Sequence, residues 1–330
     1  MQIATDGYSP ALVPLPGGQV FTIEQNSVAF FPLYPGLMGM AVQAAGIGPY
    51  GAGMTVSIAA SFAAAAGIYR IGELSGDSRT GLIAACLWAV MPGAGVQWSV
   101  YSESLYTALA AWTCCAVMRH AWHEAALLSC LAGLTRPSAV ALIIAVCAAA
   151  SIALYSRQGH WRGPLLAICV APAGAALYVG WVGWSLDDPA AYFILQRRAW
   201  AHSFDFGRNA FAAARAILLG RQDYLFPSPA QDVAALLVLF LLPVLLVLML
   251  RYRLPAVLMV YTCASLVLML SSMQMFGTVH RFLLPLFPLV IPAAAGLRRL
   301  SVRCISVLLV SLSVSSGWYA GFLLFGLGIP

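Results

Sequence analysis

The stretch "FFPLYPGLMGMAVQAAGIG", residues 30–48, decides how the chain is threaded. It either crosses a bilayer or lies along its surface, and every later crossing takes its direction from that choice. Pro32 and Pro35 fix the backbone around Tyr34, since a proline ring locks φ and restricts the residue before it. Aromatic residues favour the membrane interface. No Lys or Arg precedes Arg70, so a crossing by this run would leave residues 1–33 in the cytoplasm against the arginine pattern that follows. We therefore read it as a surface helix reached through a stiff aromatic step.

That pattern is set by composition. Of the 330 residues, 62% are hydrophobic and only 8% charged, far from the make-up of a soluble domain. All 17 basic residues are arginines. A spanning helix needs about 20 mostly apolar residues. Runs of that kind fall at 52–70, 81–97, 103–118, 125–135, 138–156, 164–186, 233–250, 255–273, 282–297 and 304–326, which predicts about ten crossings. The fold expected is all-α and polytopic, a single integral membrane domain over 1–330. It comprises an outer loop with its interfacial helix (1–50), an N-terminal helical module (52–186), a second outer loop (187–232) and C-terminal helices (233–330).

Alternate breaks read "RIGELSGDSR", "RHAWHE", "RQGHWRG", "RYR" and "RRLSVR". The positive-inside rule puts these in the cytoplasm. The opposite side receives "VYSES", "TRPS", the 187–232 loop and "QMFGTVHR", together with Asp6, Glu24, Glu103, Asp187, Asp188, Asp205, Asp223 and Asp232. It also receives Arg136, Arg197, Arg198, Arg208, Arg215, Arg221 and Arg281, against the usual bias. Such exceptions suggest an anionic ligand, or pairing with the loop aspartates. The run 125–135 is short and is expected either to extend towards the cytoplasm, to tilt, or to pair with 138–156 as a helix broken at Pro137. The eight cysteines, without metal-type spacing, read as small core residues.

The outward fragments form a series: Ile3-Ala4 with Gly7-Tyr8, Phe30-Phe31-Pro32-Leu33-Tyr34-Pro35, Tyr101-Ser102-Glu103-Ser104, Leu134-Thr135-Arg136-Pro137, Gln196 with Trp200, and His280-Arg281 ahead of Pro285. In order and spacing the series resembles the PIG-V-type mannosyltransferases, the GPI mannosyltransferase II family and its bacterial relatives, of the C-superfamily (GT-C) of glycosyltransferases. The resemblance runs over nearly the whole chain. It implies a GT-C-type membrane enzyme that takes mannose from a polyprenyl-phosphate carrier and passes it to an acceptor hydroxyl outside the cytoplasm. It also implies a first helix and a Trp-Asp pair ahead of the Ile-Ala…Gly-Tyr element, which would lie upstream of Met1. The expectation is a start site further upstream, with an inactive remnant as the other reading. The family's catalytic carboxylate belongs to that missing part.

Among the residues present, Glu103 is the candidate to orient the acceptor hydroxyl, to assist its deprotonation, or to hold a cation. The plainer reading makes "SES" a helix start capped by Ser102. Arg136 presents a planar fork suited to phosphate, or simply snorkels to the interface. His280 and Arg281 would bind donor phosphate and sugar or leaving oxygen, or contact lipid headgroups. Glu103, Arg136, His280 and Arg281 are thus the catalytic candidates. Tyr8, Tyr34, Tyr101, Gln196 and Trp200 are the substrate-binding ones, the last two sharing a helix face four residues apart.

A glycine-rich phosphate loop after a strand is absent, in keeping with a lipid-linked donor. Expected partners are that donor, membrane lipids and an acceptor the sequence does not identify, with no nucleic acid. No cofactor is certain, and a divalent cation is the one candidate. The location expected is a multi-pass integral membrane protein, in the cell membrane if the chain is bacterial, with its site facing outside. The competing functions are a transporter or lipid flippase, disfavoured because no clear repeat is found and the ionisable groups gather at one surface, and a catalytically silent accessory chain.

Overall fold

The computed structural model describes residues 2–8, 27–91, 93–157, 160–200, 204–220, 229–271 and 281–321. Glu24, Arg221, Asp223 and His280 lie outside the described residues, as do the side chains of Trp200 and Asp232.

The described chain is helical, without a strand. It opens with α1 (Gln2–Asp6), α2 (Leu33–Ala45), α3 (Pro49–Ser75), α4 (Ser78–Ala89) and α5 (Glu103–Met118). There follow α6 (Trp122–Gly133), α7 (Val140–Tyr155), α8 (Arg162–Val170), α9 (Ala173–Ser185) and α10 (Ala191–Trp200). The rest comprises α11 (Arg208–Leu218), α12 (Pro229–Tyr252), α13 (Ala256–Leu270), α14 (Val290–Leu297) and α15 (Val302–Trp318). Among the described residues four segments are long and apolar enough to cross a membrane: Pro49–Ser75, Pro137–Tyr155, Arg162–Ser185 and Val302–Gly321. Leu236–Tyr252, Ala256–Leu270 and Arg281–Leu297 are apolar but shorter. α2 has 13 residues, too few to cross by the length rule.

Local chemistry explains the breaks. Proline occupies the first turn of α3, where a missing N–H costs nothing. Gly46, at φ 63°, ends α2 in the left-handed region that glycine adopts without penalty. Asp77 caps α4, its carboxylate accepting from Thr80 N at 2.7 Å, and Ser301 caps α15 by accepting from Cys304 N. Arg136 is extended ahead of Pro137, so α6 and α7 are separate helices, as the broken-helix reading expects. α6 also begins at Trp122, three residues to the cytoplasmic side of the run 125–135.

Packing follows the logic of helices in lipid, where close backbone approach replaces hydrophobic exclusion. A Cβ on Gly72 would lie 2.7 Å from Gly81 Cα, and one on Gly174 would lie 2.0 Å from Cys130 O. α3 thus meets α4, and α9 meets α6, at glycine. The core runs through α3, α5, α7 and α13, with Trp88, Tyr106, Tyr261 and Phe287 fully buried. Large apolar side chains such as Phe62, Leu177 and Val314 stay exposed on the outside of the bundle. That is the surface of a helical membrane protein.

The cysteines divide. Cys114 and Cys115 are buried, but Cys169, Cys263 and Cys304 are exposed, which corrects the reading of all eight as core residues. Their neighbours on α8, α13 and α15 show the reason: those helix faces look outward, where a small apolar thiol is as acceptable as valine.

The bundle has two chemically distinct ends. At one, Arg298 Nη1 pairs with Asp77 at 2.8 Å, Arg79 donates to Leu300 O and Tyr252 donates to Ser75 O. At the other gather the starts of α3, α5 and α7, the end of α6 and the Arg281 turn. Among the described residues, Asp77, Arg79, Tyr252 and Arg298 thus lie at one end and Glu103, Arg136 and Arg281 at the other.

Candidate functional site

The site grows from the start of α5. Ser102 precedes it but its side chain makes no capping hydrogen bond, so the plain helix-cap reading of "SES" does not hold. Glu103 instead turns inward, its side chain 1% exposed. Its Oε1 accepts from Arg281 Nε at 2.8 Å and lies 2.7 Å from Arg281 Nη2. Arg136 Nη1 approaches the same oxygen at 3.3 Å. Two guanidiniums and one carboxylate leave the cluster with net positive charge. Arg136 is therefore not a snorkelling residue.

Each partner is held by structure around it. Arg281 lies over the Tyr101 ring, 4.1 Å from its centroid. The turn Leu284–Leu289 that follows is pinned by Trp88 Nε1 donating to Leu284 O at 2.9 Å and Tyr261 Oη donating to Pro285 O at 2.9 Å. Gln97 Nε2 in turn donates to Trp88 O. Arg136 lies beside the Tyr106 ring, whose hydroxyl donates to Ser138 O at 3.2 Å. Ser57 Oγ donates to Tyr101 O, fixing the strip before α5 against α3.

The aromatic step at 30–35 has a definite task in this arrangement. Leu33 N donates to Leu134 O at 2.9 Å, which ties it to the turn carrying Arg136. Tyr34 Oη donates to Gly53 O at 3.0 Å and lies 2.8 Å from Ser57 Oγ. Burial pushes the Tyr34 phenol up to about 12, so it stays a hydrogen-bond donor at neutral pH. Phe31 packs on Tyr178 and, edge-on, on Tyr192. Tyr8 and Tyr178 both donate to Phe30 O, and Gln196 Nε2 donates to Ala29 O at 3.0 Å. The step is a bracket joining the outer ends of α3, α6, α9 and α10.

The candidates from sequence therefore part company. Glu103, Arg136 and Arg281 converge, with Tyr101 stacked against them. Tyr8, Tyr34 and Gln196 instead have their polar groups committed to backbone carbonyls, of Phe30, Gly53 and Ala29 respectively. His280 and the Trp200 side chain lie outside the described residues, although both Gln196 and Trp200 belong to α10. Among the described residues no group of three or more His, Cys, Asp or Glu side chains gathers to hold a metal ion.

Several contributors escaped sequence reading. Tyr106 carries no motif, and only the fold brings its ring beside Arg136, 5.8 Å from Cζ to the ring centroid. Some polar atoms at the site are buried without a hydrogen-bond partner among the described residues: Glu103 Oε2, Arg136 Nε and Nη1, Ser138 Oγ and Tyr192 Oη. Unpaired buried polar atoms are costly. No family model and no curated protein matches the chain.

Proposed function

We propose that this chain is a multi-pass membrane glycosyltransferase of about ten crossings and GT-C type. It moves mannose from a polyprenyl-phosphate-mannose donor to an acceptor hydroxyl on the non-cytoplasmic face. The single observation that supports the reading is the Arg136–Glu103–Arg281 cluster: buried, net positive, and at the bundle end opposite the arginine-rich loops. Two guanidiniums aimed at one place stabilise the negative charge that grows on a departing phosphate. Glu103 holds both in register through Oε1, and its free Oε2 is placed to accept a hydrogen bond from a sugar or acceptor hydroxyl. The choice of mannose rests on the family resemblance alone, and so does the polyprenyl carrier.

Chemically, the acceptor oxygen attacks the anomeric carbon as the bond to phosphate breaks, and the acceptor proton passes to a base. The arginines carry the charge of the leaving group; Oε1 of Glu103, already taken by guanidinium donors, is not that base. A site at the bundle end rather than midway along it suits a transferase that meets its acceptor at the membrane surface, whereas transporters bind near the midplane.

The test is transfer of mannose from a synthetic polyprenyl-phosphate donor by the purified full-length protein in lipid vesicles. Arg136→Ala is expected to lower the rate by about 100-fold, the loss typical of removing one transition-state donor, and Glu103→Gln by a similar factor. Full activity in both variants, with the protein folded, refutes the assignment.

A further inference from the structure

The turn between α7 and α8 carries positive charge that no carboxylate answers. At the end of the bundle that holds Asp77 and Arg298, the described carboxylates are each taken by one arginine: Glu73 by Arg70, Asp77 by Arg298 and Glu124 by Arg119. Arg157, just past α7, and Arg162, the first residue of α8, are exposed and make no ion pair among the described residues. Trp161 lies beside the second of them, its ring centroid 5.8 Å from Arg162 Cζ, and is 60% exposed.

α8 continues that charge into an apolar groove. Arg162, Leu165, Leu166 and Cys169 fall at i, i+3, i+4 and i+7, which places them on one face of the helix. The other face is taken up by packing. A Cβ on Gly163 would lie 3.1 Å from the Trp122 ring, so α8 starts against the start of α6, and Pro164 and Ala167 are buried. The outward face stays open: Trp161, Arg162, Leu165, Leu166 and Cys169 line a groove of about 310 Å³ that follows the helix for about 10 Å. α7, with its 16 residues, separates this groove from the Arg136 turn.

Guanidinium first and hydrocarbon below it is the order in which a phospholipid presents its complements. A guanidinium fork suits phosphate oxygens, an indole favours the headgroup level, and the leucines with Cys169 suit an acyl chain. A zwitterionic headgroup brings its own cation to the same place, against the unanswered arginines; an anionic one does not. The arginine alternation assigns this end to the cytoplasmic leaflet, whose anionic lipids attract basic segments at its surface. An acidic protein segment would match the arginines but not the stripe below them, which descends to a depth where backbone polar groups lack water. We propose that the Trp161–Cys169 groove binds an anionic phospholipid of that leaflet, with Arg162 holding the phosphate and Arg157 adding to the attraction. The site lies at the opposite end of the bundle from Glu103 and does not depend on the glycosyl-transfer reading.

Cys169, exposed at the foot of the groove, gives the experiment a local reporter, and Cys304, exposed beside Arg303 on α15 at the same end, gives it a control. The full-length protein in detergent micelles is treated with N-ethylmaleimide while dioleoyl phosphatidylglycerol or dioleoyl phosphatidylcholine is titrated in, and each cysteine is followed by peptide mass spectrometry. The lipid mole fraction that halves the Cys169 rate is expected to be about fivefold lower for phosphatidylglycerol, the preference that one arginine near an anionic surface supplies. Arg162→Gln, a change at an exposed side chain, is expected to raise the phosphatidylglycerol value about fivefold and to leave the phosphatidylcholine value unchanged. Cys304 is expected to show no difference between the lipids. Equal values for the two lipids at Cys169, or an Arg162→Gln protein with the wild-type value, overturns the proposal. Equal protection of Cys304 by phosphatidylglycerol overturns it too, since the attraction would then belong to the whole basic end. No protection by either lipid also refutes it, and leaves the groove to a protein partner.

Discussion

The Glu103–Arg281 contact is the strongest polar interaction at the site, and its strength can be worked out from the geometry. Arg281 reaches Oε1 through Nε at 2.8 Å and Nη2 at 2.7 Å, whereas Arg136 reaches it through one nitrogen at 3.3 Å without a hydrogen bond. Removing one partner of a fully buried pair costs about 3–5 kcal/mol, chiefly by stranding the other charge. Glu103 meets the condition at 1% exposed, but the Arg281 side chain keeps 25% of its surface open, so water recovers part of the loss. We expect Glu103→Gln to destabilise the protein by about 2–3 kcal/mol once that solvation is allowed for. In double-mutant cycles on the folded protein in mixed micelles, Glu103→Gln with Arg281→Gln should show a coupling of about 2 kcal/mol. Glu103→Gln with Arg136→Gln should stay below about 1 kcal/mol, since the longer contact lacks a hydrogen bond. Additivity within about 0.5 kcal/mol for the Arg281 pair, or the reverse order of the two couplings, refutes the geometry on which the site is built.

Other consequences lie further out. Trp88→Phe leaves Leu284 O without its donor in a buried position, and should cost about 1–3 kcal/mol while loosening the turn behind Arg281; unfolding midpoints and mannosyl transfer read both effects. Gly174→Ala places a methyl 2.0 Å from Cys130 O and should prevent accumulation of folded protein, while Gly180→Ala, with nothing within 4 Å, should accumulate normally; size-exclusion profiles decide. Asp77 has its carboxyl held below the usual range, first by the Thr80 N–H and then by the Thr80 hydroxyl and Arg298. A depressed folded value means the stabilisation is complete above the unfolded carboxylate value near about pH 4 and is lost as the pH falls through the folded one. Acid titration of thermal midpoints should therefore be shallower below about pH 4 in Asp77→Asn than in the wild type.

The sequence exposes the helical class and the two ends because both are written in local terms. Apolar runs and arginine breaks repeat along the chain, and the pairs Asp77–Arg298 and Glu103–Arg281 fall on the ends that this alternation assigns. Crossing number is less legible, because α4, the helix of the run 81–97, ends at Ala89 and the turn Ala94–Trp98 takes up the remainder, while α5 and α6 have only 16 and 12 residues, short of a crossing. Glu103 and Arg136 were legible as costly charges beside an apolar run. From sequence, Tyr34 and Gln196 suggest substrate contacts, since aromatic and amide groups at a membrane surface suit sugars. The fold directs those same groups to carbonyls of residues 19 and 167 positions away, a pairing no local pattern encodes.

The bracket built from residues 30–35 also explains why the arginine site needs so stiff an entrance. Arg136 sits on an extended residue ahead of proline, a turn with few hydrogen bonds of its own, and Arg281 sits on a turn held from α4 and α13. Neither turn would keep two like charges together unaided, for their mutual repulsion opposes it and Glu103 offers a single oxygen to both. The Leu33–Leu134 hydrogen bond and the Phe31–Tyr192 contact add a restraint from outside the ion cluster, with two prolines limiting the ways the step can relax. Stiffness at Pro32 and Pro35 therefore acts on the charges through Leu134. It keeps the guanidiniums converged on Glu103 Oε1, an arrangement that flexible loops would relax by letting Arg136 swing into water.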